Sequence, residues 1–214
     1  MTSFVAISDT HGFYWDIEVP DGDVLIHAGD ITGQGTYENL EDFNEWLATL
    51  PHKHKIVIAG NHDWCCEWDQ ARCRGILTNA VYLQDEAVYI EGFKIYGSPH
   101  SPTFYDWAFN LDRGAPLREK WDLIPNDVDV LVTHGPPWGI LDEVANSMKL
   151  MNVGCQDLGD AVDRVKPKVH VFGHIHEGYG TQQEPDTLFV NASINTARYR
   201  PIQPAITFSL PRET

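Results

Sequence analysis

The chain has 214 residues, a hydrophobic content of 43% and a formal net charge of −16. This size and apolar content suit one large core, and no Gly-, Ser- or Pro-rich linker divides the sequence, so we expect a single domain over residues 1–214. The acidic balance disfavours long nucleic acids as partners, because their phosphate backbones are bound by clusters of Lys and Arg. No apolar run approaches the roughly 20 residues that a membrane-spanning helix needs.

The amino terminus and the cysteines indicate a reducing compartment. The chain enters an apolar strand within three residues, without the charged region, apolar region and cleavage site of a secretory signal, so we expect a cytoplasmic protein. The four cysteines show neither paired C-x-x-C spacing nor a disulfide framework. We interpret Cys65, Cys66 and Cys73 as ordinary, partly buried thiols, with a soft metal site as the alternative.

The first apolar run, residues 4–7, predicts a buried strand that ends in Ser-Asp-Thr-His-Gly. In an extended segment residues i and i+2 point to the same side, so Asp9 and His11 are expected to converge on one point. A carboxylate and an imidazole at this spacing make half a metal site, although a capped turn accounts for the same pattern.

A second strand, residues 24–28, leads to a Gly-rich loop that carries Asp30. Apolar side chains then recur at helical spacing over residues 37–50, with Thr36 as N-cap and Pro51 after the end, which predicts a core helix.

A third strand, residues 55–59, completes a βαβ unit and leads into Gly-Asn-His-Asp. Asn61 offers a neutral oxygen ligand, His62 an acid, a base or a ligand, and Asp63 an acceptor that can orient a neighbour. No element is predicted for residues 64–78.

The middle of the chain predicts a hairpin and another strand that ends at a polar residue. Residues 87–90 and 93–96 flank a Glu-Gly turn, and an aromatic-rich loop follows over 98–113. Such a loop walls a ligand pocket or covers a sheet edge, and the sequence leaves both readings open. The strand at 129–133 ends at His134, which a following Gly-Pro-Pro turn holds stiffly.

The last third predicts a helix at 155–165 and a strand at 168–172, which leads into Gly-His-Ile-His. In an extended segment His174 and His176 would share one face. Two closing strands are expected, at 187–190 and 205–209.

Polar residues with metal-binding side chains therefore follow five predicted strands. They are Asp9 and His11, Asp30, Asn61 and His62, His134, and His174 and His176. This mixture of carboxylate, imidazole and amide oxygen suits hard or borderline divalent ions rather than structural zinc. The number of ligands is enough for two ions that share one carboxylate, and such a pair can activate a bridging hydroxide for in-line attack on a phosphoryl group.

The ordered motifs resemble those of the calcineurin-like metallophosphoesterase superfamily, from residue 8 to about residue 193. They are Asp-x-His at 9–11, Gly-Asp at 29–30, Gly-Asn-His-Asp at 60–63, Thr-His-Gly at 133–135 and Gly-His-x-His at 173–176. The detailed sequences of residues 133–137 and 167–180 resemble those of one branch of the superfamily. This branch contains the small metallophosphoesterase-domain proteins that are similar to class III cyclic nucleotide phosphodiesterases. The resemblance implies a four-layered α/β/β/α sandwich, two mixed sheets flanked by helices, with the site at the carboxyl ends of the strands.

The resemblance also implies a role for each residue of the motifs. The implied ligands are Asp9, His11 and His176 for one ion, Asn61, His134 and His174 for the other, and Asp30 as the bridge between them. His62 would protonate the leaving oxygen, with Asp63 as a candidate orienting partner, and Asn61 and His62 would face the substrate. Manganese is the preferred metal, with Fe, Co, Ni or Zn as alternatives.

Two departures argue against a phosphoprotein phosphatase. The continuation after Gly-Asp, residues 31–35, lacks the Asp-Arg-Gly of that group, and Asp63 stands where that group has Glu. We therefore expect a phosphodiesterase of small diesters such as cyclic nucleotides. The alternatives are a phosphomonoesterase and a non-catalytic interaction protein on the same fold, which the complete ligand set disfavours. Several aromatic residues are candidates for stacking on a substrate base, and the sequence does not select among them: Trp64, Trp138, Tyr179 or those of 98–109.

Overall fold

Two mixed β-sheets stack face to face, and helices cover the outer face of each. The structure is a computed structural model that describes residues 1–146 and 149–212. The strands are β1 (Thr2–Ile7), β2 (Val24–Ala28), β3 (His54–Ile58), β4 (Val81–Tyr82), β5 (Glu86–Ile90), β6 (Phe93–Ser98), β7 (Ser101–Pro102), β8 (Asn110–Leu111), β9 (Val130–Thr133), β10 (Glu143–Asn146), β11 (Lys149–Asn152), β12 (Val169–Phe172), β13 (Gly180–Gln183), β14 (Leu188–Asn191) and β15 (Ile206–Leu210). The helices are α1 (Tyr37–Thr49), α2 (Trp64–Trp68), α3 (Gln70–Ile76), α4 (Ala115–Trp121) and α5 (Gln156–Val165), with 3₁₀ turns at Tyr14–Asp16 and His176–Gly178.

Parallel strands form the centre of both large sheets. The first has the order β15-β1-β2-β3-β4, in which β1 to β4 are parallel and β15 is antiparallel. The second has the order β13-β14-β12-β9-β6-β5, with antiparallel pairing at both edges. A parallel bridge between Ser8 and Ser193 joins the loops that follow β1 and β14. The carboxyl ends of the central strands of both sheets therefore meet at one edge of the sandwich.

Alternate residues of each strand fill different layers of the core. In β1, Phe4 and Ala6 pack between the two sheets, whereas Val5 and Ile7 pack under α1 to α3. A separate apolar layer lies under α4 and α5 on the far side of the second sheet. Strands buried on both faces carry nearly continuous apolar runs, which is why the sequence predicted them. The architecture confirms the predicted four-layered α/β/β/α sandwich.

Helix boundaries follow local signals in the sequence. The Thr36 hydroxyl accepts a hydrogen bond from the Asn39 N–H and begins α1, as predicted. The segment 64–78, which had no prediction, contains α2 and α3, and the side chain of Asp69 between them caps α3. The sequence analysis missed α4, although Leu117 and Trp121 are fully buried at helical spacing. None of the helices among the described residues has the length and apolar character needed to cross a bilayer.

Two histidines inside the strands are structural. His27 Nε2 lies 2.9 Å from Thr10 Oγ1, and His170 Nε2 lies 2.8 Å from Thr133 Oγ1. The Thr133 hydroxyl donates to the Gly135 carbonyl, so it accepts from the His170 Nε2–H. His170 Nδ1 has no hydrogen-bond partner in the described part of the chain. Burial accordingly lowers the pKa of His170 to about 3.

We expect the free energy of unfolding to fall as the pH drops below 6.5. Unfolded His170 takes up a proton near its ordinary pKa of 6.5, whereas the folded state resists protonation down to about 3. Between these values the loss is up to about 1.4 kcal/mol per pH unit for this one group. His170→Gln removes the titration, so urea unfolding of the variant between pH 6 and pH 4 should show a shallower pH dependence. Equal slopes in the two proteins would contradict this.

Candidate metal centre

Loops from both sheets bring the predicted metal ligands together. Three overlapping sets each place their donor atoms within 4.8 Å of one another: Asp9, His11 and His176; His11, Asp30 and His62; and Asp30, His134 and His174. The amide oxygen of Asn61 joins the last set, since its Oδ1 lies 2.8 Å from His134 Nε2. Every residue that the sequence analysis proposed as a ligand therefore lies in one cluster.

Asp30 lies between the two outer sets. Its Oδ2 is 3.6 Å from His11 Nε2, and its Oδ1 is 3.4 Å from His134 Nε2. The backbone N–H of His62 donates to Oδ1 at 2.8 Å. One carboxylate therefore faces ligands from both sides, which is the arrangement that a pair of ions sharing a ligand requires.

The backbone that presents these side chains is not extended. Asp9, His11, Asp30 and His174 have φ angles of 53°, 45°, 52° and 67°, in the left-handed region. Asp9 and His11 do converge on one point, as expected, but tight turns just beyond the strands bring them together and strand alternation does not. The segment with His174 and His176 is not extended either, because His174 is left-handed and a 3₁₀ turn begins at His176; the two residues join different ligand sets, as the resemblance implies.

Backbone carbonyls orient the imidazoles of the cluster. His134 Nδ1 lies 3.0 Å from the Ala28 carbonyl oxygen, and His176 Nδ1 lies 3.1 Å from that of Thr196. Each ring therefore directs Nε2 into the cluster, as is usual for metal-bound histidines. The sequence analysis missed Asn195, whose side-chain amide donates to the Asp9 carbonyl at 2.7 Å and ties the loop after β14 to the site.

The charges of the cluster favour cations. Burial opposes ionisation of Asp30, yet the neighbouring His134 holds the pKa of that carboxyl well below its usual range. Asp9 behaves in the same way next to His176. Burial also opposes a charged imidazole at His134, but the Asp30 carboxylate outweighs it and raises the pKa of His134 to about 9. In the metal-free chain, protonated imidazoles thus compensate the negative charge of the buried carboxylates. A bound metal ion would take over this role.

The donor types and their arrangement fit divalent metal ions. Nε2 of His11 and Nε2 of His176 face each other at 3.4 Å, and both atoms point towards carboxylates. If both facing ring nitrogens carried a proton, the two N–H groups would repel each other. Both nitrogens can instead bind a cation with their lone pairs. Carboxylate, imidazole and amide oxygen together suit borderline divalent ions.

Asp63 supports the loops of the site and does not contact the His62 ring. Its carboxylate accepts hydrogen bonds from the backbone N–H groups of Gly60, Ile31 and Thr32, and from the Thr32 hydroxyl. Nδ1 of His62 instead faces the carbonyl oxygen of Gly33 at 3.2 Å. The expectation that Asp63 orients His62 directly is therefore wrong; it holds the loop that carries His62 against the loop after Asp30.

An aromatic cavity of about 800 Å³ opens above the ligand cluster. Trp107 lies in its wall and stacks on the His62 ring, with centroids 4.3 Å apart. Tyr199, which the sequence analysis did not select, also lines the cavity and lies 4.9 Å from the His11 ring. The antiparallel strands β10 and β11 contribute Val144 and Met151 to the lining of the same cavity.

The structure divides the aromatic residues proposed for substrate stacking. Trp138 and several members of the 98–109 loop line the cavity. Trp64 instead packs on Trp68, with ring centroids 5.9 Å apart. The Tyr179 hydroxyl donates to the Pro204 carbonyl at 2.8 Å. Neither Trp64 nor Tyr179 belongs to the described lining, so Trp138 and members of the 98–109 loop are the candidates that line the cavity.

Comparison with known proteins assigns the chain to a family. Residues 2–178 match the family model described as calcineurin-like phosphoesterase. The chain belongs to this family. Family membership indicates a phosphoester hydrolase that uses divalent metals, and the Asp and His sets described above are groups that can hold them.

Individual relatives agree with this assignment. Human metallophosphoesterase domain-containing protein 1 is 47% identical over 234 aligned positions, which cover 98% of this chain and 71% of the relative. A 3′,5′-cyclic-nucleotide phosphodiesterase of Nostoc sp. is 26% identical over 167 positions, covering 77% of this chain and 59% of the relative. A solved structure with 18% identity covers 89% of this chain and 90% of its own, with a TM-score of 0.63, and shares the fold.

Metal uptake is expected to release protons. His134 is protonated at pH 7 in the metal-free chain, because its pKa is about 9, and it must lose that proton to bind a metal. The apparent affinity for Mn²⁺ should therefore rise by about tenfold per pH unit between pH 6 and pH 8. Calorimetric titration in buffers of different ionisation enthalpy would count the protons released. An affinity that does not change with pH would contradict this.

Gly60 is expected to tolerate no side chain. A Cβ at this position would meet the backbone N and Oδ1 of Asp30 and would lie 2.6 Å from His134 Cε1. Gly60→Ala should therefore displace Asp30 and lower both the bound metal and the turnover by about 100-fold or more. The matched control is Gly159→Ala in α5, where a Cβ meets open space and the helix should gain about 0.5–1 kcal/mol. Normal metal content in folded Gly60→Ala protein would refute the close approach.

Proposed function

We propose that this chain is a dinuclear metal-dependent phosphodiesterase of small phosphodiesters, with cyclic nucleotides as the leading substrate class and Mn²⁺ as the preferred metal. The observation that carries the proposal is the meeting of two ligand sets at Asp30, at the floor of an aromatic cavity. Asp9, His11 and His176 would hold one ion with Asp30; Asn61, His134 and His174 would hold the other. Fe, Co, Ni and Zn are the alternatives for such donors.

The bound ions and the protein would divide the chemistry. Two divalent cations held there would neutralise the charge of a phosphoryl group and lower the pKa of a water molecule. The chain fixes the positions of the ligands through the carbonyls of Ala28 and Thr196. It also holds the two ligand-bearing loops together through Asp63. Rigid ligands would hold a bound phosphoryl group in one position for attack.

His62 is the proposed general acid. Its side chain is 14% exposed, lines the cavity and lies beside the ligand cluster, with Nε2 4.0 Å from Asp30 Oδ2. The contact between Nδ1 and the Gly33 carbonyl and the stacking on Trp107 fix the ring from two directions. With Nδ1 donating to the Gly33 carbonyl, Nε2 is left on the side of the ligand cluster, where it would give its proton to a leaving alkoxide.

The wall of the cavity favours a diester over a monoester. Arg113 is the one Lys or Arg side chain among the described lining residues, and it donates to the carbonyls of Val153 and Gly154. Beyond the ligand cluster the wall is mainly aromatic and aliphatic. Such a surface suits the second ester group of a small diester, for example a stacked base, better than additional phosphate charge. The name of the Nostoc relative supports the same class.

The first test compares a diester with a monoester. Metal-stripped protein is supplied with Mn²⁺ and assayed with bis(p-nitrophenyl) phosphate and p-nitrophenyl phosphate, then with 3′,5′- and 2′,3′-cyclic nucleotides. We expect Mn²⁺-dependent turnover of diesters that is lost in Asp30→Ala, because both ligand sets lose their shared carboxylate. Asp160→Ala, an exposed carboxylate on α5, is the matched control and should be unchanged. Cleavage of the monoester alone would replace the proposal with a phosphatase, and no cleavage despite bound metal would refute catalysis.

Loss of the general acid should affect turnover and not metal binding. His62→Gln keeps a polar side chain but carries no acidic proton, so turnover of a diester with a poor leaving group should fall by about 10²- to 10⁴-fold. The loss should be much smaller for p-nitrophenolate, which leaves without a proton. Equal losses for both leaving groups would remove His62 from proton transfer.

A further inference from the structure

Three thiols meet below the 60–63 loop, outside the proposed metal centre. Cys65 and Cys66 lie in α2 and Cys73 lies in α3. Their sulfur atoms all lie within 4.8 Å of one another, and the three residues are completely buried. The expectation of partly buried thiols is therefore wrong. Burial alone explains why each cysteine lies in the core, but it does not explain why their three sulfur atoms lie together.

The surroundings of the thiols are apolar. All three cysteines belong to the core layer between α1–α3 and the first sheet, together with residues such as Val57 and Leu77. Within this layer the thiols hydrogen-bond to one another, and donation from the Cys65 and Cys66 thiols lowers the pKa of Cys73 to about 5. Hydrogen bonds within the cluster and burial raise the pKa values of Cys65 and Cys66, so a bound cation is what would stabilise negative charge on all three sulfurs.

The spacing of the sulfur atoms fits a three-coordinate ion. Metal–thiolate bonds are about 2.3 Å long, so three sulfurs around one ion in a plane lie about 4.0 Å apart. The Sγ atoms of Cys65 and Cys66 are 4.0 Å apart, and Cys73 completes the triangle within 4.8 Å of both.

We propose that Cys65, Cys66 and Cys73 form a second metal site that binds one Cu(I) ion as a three-coordinate thiolate complex. Soft thiolate ligands select Cu(I), and a set of three sulfurs lacks the fourth ligand that structural zinc takes. Each thiol that still carries a proton releases it to solvent as its sulfur binds, and no electron is transferred. Because the three thiols are completely buried, entry of the ion requires the short helices α2 and α3 to open locally.

This site is mechanically connected to the loop that carries Asn61 and His62. The Cys66 N–H donates to the Asp63 carbonyl at 2.9 Å, and the Cys65 N–H donates to the Gly35 carbonyl at 3.0 Å. A bound ion would therefore fix the first turn of α2 against both loops of the proposed catalytic site. The thiol site itself does not depend on the proposed function, since none of its ligands belongs to the Asp and His sets.

Copper binding and its ligands can be measured directly. The full chain, loaded with Mn²⁺ and kept anaerobic, is titrated with Cu(I) in competition with bicinchoninate. We expect one Cu(I) per chain, with X-ray absorption showing three sulfur neighbours and no nitrogen neighbours. Cys73→Ser should weaken binding by about 100-fold or more, because a hard hydroxyl replaces a soft ligand. Cu(I) should also raise the unfolding temperature of the wild type and not that of Cys73→Ser.

Cys155→Ser is the matched control, because Cys155 is also buried but accepts a hydrogen bond from Leu158 in another core layer. It should bind Cu(I) like the wild type. Nitrogen neighbours of the bound copper, equal affinity in Cys73→Ser, or tight Zn²⁺ binding without Cu(I) binding would each overturn the proposal. The absorption measurement uses the wild type, so the proposal stays testable if the Cys73 variant does not fold.

Discussion

The proposed catalytic site depends on the contacts of one group, the Asp30 carboxylate. It faces His11 on one side and His134 on the other, and it accepts the backbone N–H of His62. Two ligand sets, each drawn from loops of both sheets, thus share one buried group. Burying such a charge is costly unless opposite charges surround it, so the site is stable only when protons or cations balance it. Fold and metal chemistry are coupled at this single side chain.

The fold could be predicted largely because its strands are buried on both faces. Their apolar runs are nearly continuous, and each ends abruptly at a polar residue. The sequence therefore predicts both the strands and the edge of the sheets at which the site lies. The prediction missed α4 because only Leu117 and Trp121 mark its buried face. It also missed β10 and β11, in which exposed residues such as Leu150 show no alternation.

The identity of the ligands could be predicted, but their geometry could not. Residue type is enough to select an imidazole or a carboxylate, whereas the direction of a side chain depends on turns that propensities do not define. Asp63 illustrates the limit, because its partners are backbone N–H groups from two separate loops. Tyr199 and Asn195 reach the site from the loop after β14, and no periodic pattern in that loop indicates their position.

The left-handed backbone at Asp9, His11, Asp30 and His174 places the site in conflict with the stability of the fold. A residue with a Cβ costs about 1–2 kcal/mol in this conformation, and glycine would avoid the cost while supplying no ligand. Selection for heat resistance alone would therefore accumulate glycine at these four positions and erase the metal centre. A useful stability screen for this protein must score metal content alongside melting temperature, because the two properties pull the same positions in opposite directions.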